Sequence, residues 1–70
     1  MNKVYTYLNS HPNPEGVVVI DNIDYKLTKN PSIRYSQIPE IGGVFYLDFG
    51  VWVIRPSEDV YYKVELFFVH

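Results

Sequence analysis

Residues 44–54 read Val44-Phe-Tyr-Leu-Asp-Phe-Gly-Val-Trp-Val-Ile54, and residues 60–69 read Val60-Tyr-Tyr-Lys-Val-Glu-Leu-Phe-Phe-Val69. In each run every second residue is apolar, which is the pattern of a β-strand with one face in a core. These positions are odd-numbered in the first run and even-numbered in the second. Pairing Val53 with Val60 puts both sets on one face and leaves Arg55 to Glu58 as a turn. The sequence therefore predicts one long antiparallel hairpin over about residues 44–69.

The predicted register has a weak point at Asp48, which falls opposite Glu65, because two like charges directly opposed are unfavourable. Two alternatives are open at this point. Gly50 is either a β-bulge that shifts the pairing or part of a turn, Phe49-Gly50, that divides the run into two short strands. We favour the continuous strand, because the apolar alternation crosses Gly50 without losing its phase.

The second face of this predicted hairpin is more aromatic than a solvated sheet face usually is. One interpretation is that the rest of the chain covers it. The other is a surface for a partner, since Tyr and Trp contribute strongly to interfaces. On the second interpretation we expect four aromatic anchors and two cationic contacts. These candidate binding residues are Tyr46, Trp52, Tyr61 and Phe67, with Lys63 and Arg34 as the polar contacts.

A second hairpin is predicted upstream, over about residues 17–28. Two β-branched and aromatic runs flank Asp21-Asn22, and both of these residues tolerate the positive φ that a two-residue type I′ turn requires. Ile20 then pairs with Ile23. Together the two hairpins predict a four-stranded sheet or a small barrel.

Two short helices complete the predicted fold. The segment over about residues 2–9 places apolar side chains at helical spacing, and Pro12 and Pro14 end it. Its β-branched and tyrosine content, however, also suits a strand. Asn30 followed by Pro31 is typical of a helix start and predicts one or two turns over about residues 31–37. The fold class is thus α+β, predominantly antiparallel β, in a single small domain over residues 1–70.

Composition narrows the classes of function. The chain has 70 residues, 47% hydrophobic, no cysteine and a net charge of −2. Without cysteine there is no disulfide or thiol nucleophile, which favours a reducing compartment. Without a basic run, nucleic acid is a disfavoured partner, and no apolar run approaches the length of a membrane span. We expect a cytoplasmic protein without contact with a membrane.

No motif indicates catalysis or a cofactor. His11 lies in a proline-flanked loop and His70 ends the sequence, and neither has a motif partner. The carboxylates at Asp21, Asp24, Glu58 and Asp59 flank turns, where such groups usually bond backbone amides or water. We therefore expect no enzyme activity, no cofactor and no metal site.

Three functions are consistent with these features. The first is a small protein-binding module, which acts on an unidentified protein through the aromatic face. Its size suggests an inhibitor or adaptor encoded by a virus or mobile element and acting in the host cytoplasm, an origin for which no residue gives support. The second is a small β-barrel that stacks single-stranded nucleic acid on its aromatic residues. The third is a structural subunit whose aromatic face is buried in a homodimer or larger homo-oligomer.

Overall fold

The computed structural model describes residues 1–70, in which one α-helix packs against a five-stranded antiparallel sheet. The helix and strands are α1 Asn2–Ser10, β1 Gly16–Ile20, β2 Ile23–Lys29, β3 Val44–Asp48, β4 Val51–Ser57 and β5 Val60–Val69. The strand order across the sheet is β1-β2-β5-β4-β3. A short 3-10 turn over Tyr35–Gln37 lies in the linker between β2 and β3.

The upstream hairpin and the N-terminal helix are confirmed. Ile20 pairs with Ile23 across a two-residue turn. The turn residues Asp21 and Asn22 have φ values of 55° and 61°, as a type I′ turn requires. The helix lies over one face of the sheet and buries Val4 and Leu8 there. Its side chains join one apolar core with six residues of the sheet, which are Ile20, Tyr25, Leu27, Ile54, Tyr62 and Val64.

The prediction of a continuous strand from residue 44 to 54 is wrong. The chain turns at Phe49-Gly50 and forms two strands, β3 and β4, which pair with each other. Gly50 has a φ of 72°, a conformation that glycine adopts without strain, and the carboxylate of Asp48 accepts the N–H of Phe49 at 2.7 Å. The sheet consequently has five strands instead of four, and it is open instead of closed into a barrel, with β1 and β3 at its edges.

The predicted pairing of Val53 with Val60 is also wrong. The turn between β4 and β5 is Glu58-Asp59, and Val60 pairs with Ser57. A register shift after Ile54 then places Val53 opposite Lys63 and Ile54 opposite Tyr62. The apolar odd positions of β4 and the apolar even positions of β5 therefore lie on opposite faces of the sheet.

The linker explains why both faces of β4 are apolar. Val53 points away from the helix and is nevertheless 0% exposed. Two side chains on the same face bond backbone carbonyls of the linker: the hydroxyl of Tyr61 donates to Pro31 at 3.0 Å, and the guanidinium of Arg55 donates to Pro39 at 3.3 Å. The linker thus lies across this part of the second face and covers it.

The predicted helix over residues 31–37 is reduced to the 3-10 turn at Tyr35–Gln37. Asn30 does not cap a helix. Its side-chain oxygen instead accepts the backbone N–H of Tyr61 at 2.9 Å, and the residue itself has a φ of 46°. Because this oxygen is used to bind β5, the segment that follows begins as extended chain.

Candidate functional site

The structure separates the six candidate binding residues. Tyr46 pairs with Trp52, and Trp52 pairs with Val64 of the core, so both rings lie on the face that carries the helix. Tyr61 and Lys63 alternate with buried residues of β5 and lie on the opposite face. Arg34 lies in the linker directly before the 3-10 turn. Phe67 lies near the end of β5, so the single aromatic face predicted from the sequence does not exist.

Two of the separated residues have structural partners. The hydroxyl of Tyr61 holds the linker, as described above. Lys63 forms an ion pair with Glu65 at 3.4 Å along the same strand. Their positions are explained by the sheet and the linker.

Tyr46 and Trp52 do form a common surface. Their ring centroids are 6.3 Å apart and their planes make an angle of 71°, which is an edge-to-face contact. Trp52 is half-buried against the core that lies under the helix. Tyr46 is 59% exposed, and Val44 beside it on the same face is also exposed. Packing against Trp52 thus holds an exposed tyrosine in a defined position.

Tyr46 and Val44 lie on the edge strand β3, which has free backbone groups. The N–H of Arg55 donates to the carbonyl of Gly43, which directs the backbone of Gly43 towards β4. Because hydrogen-bonding groups alternate along an antiparallel strand, the N–H and C=O of Val44 and Tyr46 point away from the sheet. Asp48 is the only charged residue of β3, and the strand contains no proline. We call β3 with Tyr46 and Trp52 the β3 edge.

A second apolar surface lies where β5 extends beyond β4. The last backbone hydrogen bond between β5 and the β3–β4 hairpin runs from the N–H of Leu66 to the carbonyl of Gly50, at 2.7 Å. Beyond it, β5 pairs only with β2. The side chains around this step are apolar and exposed; they are Phe49, Leu66, Phe67, Phe68 and Val69. We call this surface the β5 step. The sequence allowed a turn at Phe49-Gly50 as an alternative to the continuous strand. Choosing that turn would have located the β5 step.

Both histidines have local partners, and one tyrosine hydroxyl is buried. His11 stacks on Tyr7 with ring centroids 3.8 Å apart and bonds its carbonyl, and His70 contacts the carboxylate of Asp24 at 2.7 Å. Burial raises the pKa of the Tyr62 hydroxyl, and the negative charge of Glu15 adds to this. Three or more His, Asp or Glu side chains are nowhere grouped as metal ligands would be.

The larger of two hollows on the surface is open and small. It has a volume of about 320 Å³ and lies between the start of the helix and the tip of the β1–β2 hairpin. Lys3 and Asp21, both among its lining residues, form an ion pair at 3.0 Å. Its other lining residues are Met1, Asn2, Val4, Ile20, Ile23 and Tyr25.

The single α-helix is too short and too polar to cross a membrane. No protein-family model matches the sequence, and no curated protein or solved structure matches it either.

Proposed function

We propose that the chain is a small protein-binding module that recognises an extended segment of a partner protein at the β3 edge. The observation that supports this most directly is the Tyr46–Trp52 pair beside unpaired backbone groups. An added strand would bond the free N–H and C=O groups of Val44 and Tyr46, in the manner of β-augmentation. The proposal rests on an aromatic anchor and a backbone template that lie on the same strand.

The two parts of the β3 edge have different roles in this proposal. Backbone hydrogen bonds hold a strand of any sequence, so they supply affinity with little selectivity. Tyr46 supplies the selectivity, because an aromatic ring fixed by its neighbour loses little conformational freedom when it is buried by a partner. The partner strand would carry an apolar side chain that covers the exposed ring.

The proposed module acts by binding and performs no chemistry, which suits an inhibitor or an adaptor. An inhibitor would occupy a strand that the partner needs elsewhere, and an adaptor would hold that strand without blocking it. Origin in a virus or mobile element and action in the cytoplasm remain part of the proposal.

The test uses an extract of the cells in which the protein is made and compares the proteins captured by the immobilised wild-type chain and by Tyr46→Ser. Tyr46 is exposed, so the substitution removes the anchor without opening the core, and a thermal melt checks that the fold is retained. We expect a specific protein to be retained by the wild type and lost, by at least about tenfold in affinity, with Tyr46→Ser.

Tyr35→Ser is the matched control, because Tyr35 is 90% exposed but lies in the linker, away from the β3 edge. It should retain the same protein as the wild type. Capture that is unchanged by Tyr46→Ser, or lost equally with Tyr35→Ser, would rule out the β3 edge as the binding surface.

A further inference from the structure

We infer that the β5 step is the contact by which two copies of this chain pair into a symmetric dimer. Four consecutive residues, Leu66 to Val69, are apolar and exposed, and Phe67, Phe68 and Val69 are 63%, 57% and 58% exposed. Phe49 in the adjacent turn is 86% exposed. This surface is separate from the β3 edge, so the two proposals fail or succeed independently.

The backbone of the β5 step has unused hydrogen-bonding groups. The N–H of His70 donates to the carbonyl of Asn22, on the β2 side. Because hydrogen-bonding groups alternate along a strand, the N–H and C=O of Val69 point to the opposite side, where β4 is absent. A strand placed there would bond these groups and continue the sheet.

A second copy fits this position because the β5 step is complementary in shape to the same step of another copy. In each copy β5 extends past β4 and leaves an empty position beside its own end. Rotation by 180° about an axis perpendicular to the sheet places the end of one β5 in the empty position of the other copy, in antiparallel orientation. The contact is isologous and closes after two copies, as in most homodimers.

The charges also favour pairing at the β5 step over pairing at the β1 edge. Leu66 to Val69 contain no charged side chain, so no like charges meet when the segment pairs with itself. The β1 edge is apolar too, but symmetric pairing about Val18 would place Glu15 opposite Asp21 of the second copy. Two carboxylates in that arrangement are destabilising.

The area of the β5 step is sufficient for a weak dimer. With the exposures given above, the three phenylalanine rings of each copy offer roughly 300–500 Å² of aromatic surface. Two copies together offer roughly 600–1,000 Å² before Leu66, Val69 and the backbone are counted, against about 1,200–2,000 Å² in stable interfaces. We therefore expect association in the micromolar to millimolar range, visible only as protein concentration rises.

Sedimentation velocity of the full chain, from about 10 μM to about 1 mM, tests the inference. We expect the wild type to shift from monomer to dimer over this range, and Phe68→Lys to weaken association at least about tenfold, since it puts a charged side chain from each copy into the apolar contact. Val17→Lys is the matched control, because it adds the same charge at a similarly exposed position of the β1 edge. It should associate like the wild type.

Amide hydrogen exchange gives a second measurement that does not depend on a substitution. The N–H of Val69 should be protected at high protein concentration and exchange measurably faster on dilution. A wild type that stays monomeric at about 1 mM, or association lost with Val17→Lys and kept with Phe68→Lys, would overturn the inference.

Discussion

Asn30 joins the end of β2 to the start of β5 with both its backbone and its side chain. Its N–H donates to the carbonyl of Tyr61 at 2.8 Å, its side-chain oxygen accepts the N–H of Tyr61, and its side-chain nitrogen reaches the carbonyl of Asp59 at 3.4 Å. The residue adopts a φ of 46°, which asparagine tolerates better than most residues with a Cβ. Asparagine thus supplies here both an unusual backbone conformation and a hydrogen-bond acceptor.

The same chemistry made Asn30 misleading in the sequence. A short side chain with an acceptor can cap a helix or bind a neighbouring strand, and Pro31 favours the cap. The N–H that this oxygen accepts belongs to β5, about 30 residues later in the chain. No local sequence pattern contains that information.

Asn30→Ala should reduce the free energy of unfolding by about 1–3 kcal/mol, because it leaves the N–H of Tyr61 without its acceptor and places alanine at positive φ. Asn30→Gly loses the same side-chain bonds but accepts the backbone conformation, so it should be less destabilised than Asn30→Ala. Urea denaturation measures both. Equal stability of Asn30→Ala and the wild type would show that these bonds contribute nothing.

At the scale of the elements, the helix and the first hairpin were predictable because their determinants are local. Prolines end the helix, and Asp21-Asn22 makes the turn of the hairpin. The break at Phe49-Gly50 was missed for a geometric reason. The two-residue turn pairs Asp48 with Val51 and so exchanges odd and even positions between the faces, but the register shift between Tyr46 and Asp48 restores them. The apolar pattern of β3 therefore continues into β4 as if the strand were unbroken.

Gly50 is the residue that fixes this turn. A Cβ at position 50 would lie 3.3 Å from the Cβ of Leu66, and Gly50 has positive φ. Gly50→Ala should therefore lose about 1–3 kcal/mol of the free energy of unfolding, through backbone strain and through this close contact with β5.

Gly16→Ala is the matched control for the contact. Gly16 has a φ of 85°, but a Cβ there would meet no atom within 4 Å. It should show the backbone strain alone and be less destabilised than Gly50→Ala in the same urea titration. If the two variants lose equal stability, the contact with Leu66 has no energetic effect.

At the scale of the whole molecule, adjacent residues of β4 belong to two separate packed regions. Ile54 is 0% exposed in the core under the helix, whereas Val53 is equally buried on the other face, under the linker. The sequence predicted one core and a second, aromatic face, and left open whether the rest of the chain or a partner covers that face. It could not show that an irregular linker covers part of the second face, because Tyr61 and Arg55 hold that linker through its backbone carbonyls.

The candidate site was predictable only in part for the same reason. Tyr46 and Trp52 were grouped correctly, because the register shift between Tyr46 and Asp48 pairs them directly and keeps the even positions of β3 and β4 on one face. The sequence placed Tyr61 and Lys63 on the same face as Tyr46 and Trp52. The register shift after Ile54 puts them on the opposite face instead. Phe67 lies at the β5 step, where a register shift between β2 and β5 also breaks the alternation.

A double-mutant cycle tests the division into two regions. Leu8→Ala and Ile54→Ala remove side chains from the same core, so their effects on the free energy of unfolding should be non-additive by about 0.5–3 kcal/mol. Leu8→Ala and Val53→Ala act on opposite faces and should add within about 0.5 kcal/mol. Strong coupling of Leu8 with Val53 would show that the sheet transmits packing from one face to the other.

The order of the strands sets a time course for assembly. β5 is the central strand of the sheet, yet it follows every other strand along the chain. Until it emerges from the ribosome, the β1–β2 and β3–β4 ribbons have no neighbour that joins them, and two-stranded ribbons are marginal in water. Helix α1, although it precedes every strand along the chain, has no complete sheet to pack against until then. Folding of this domain is therefore delayed until β5 has been synthesised, when one ten-residue strand joins the two ribbons.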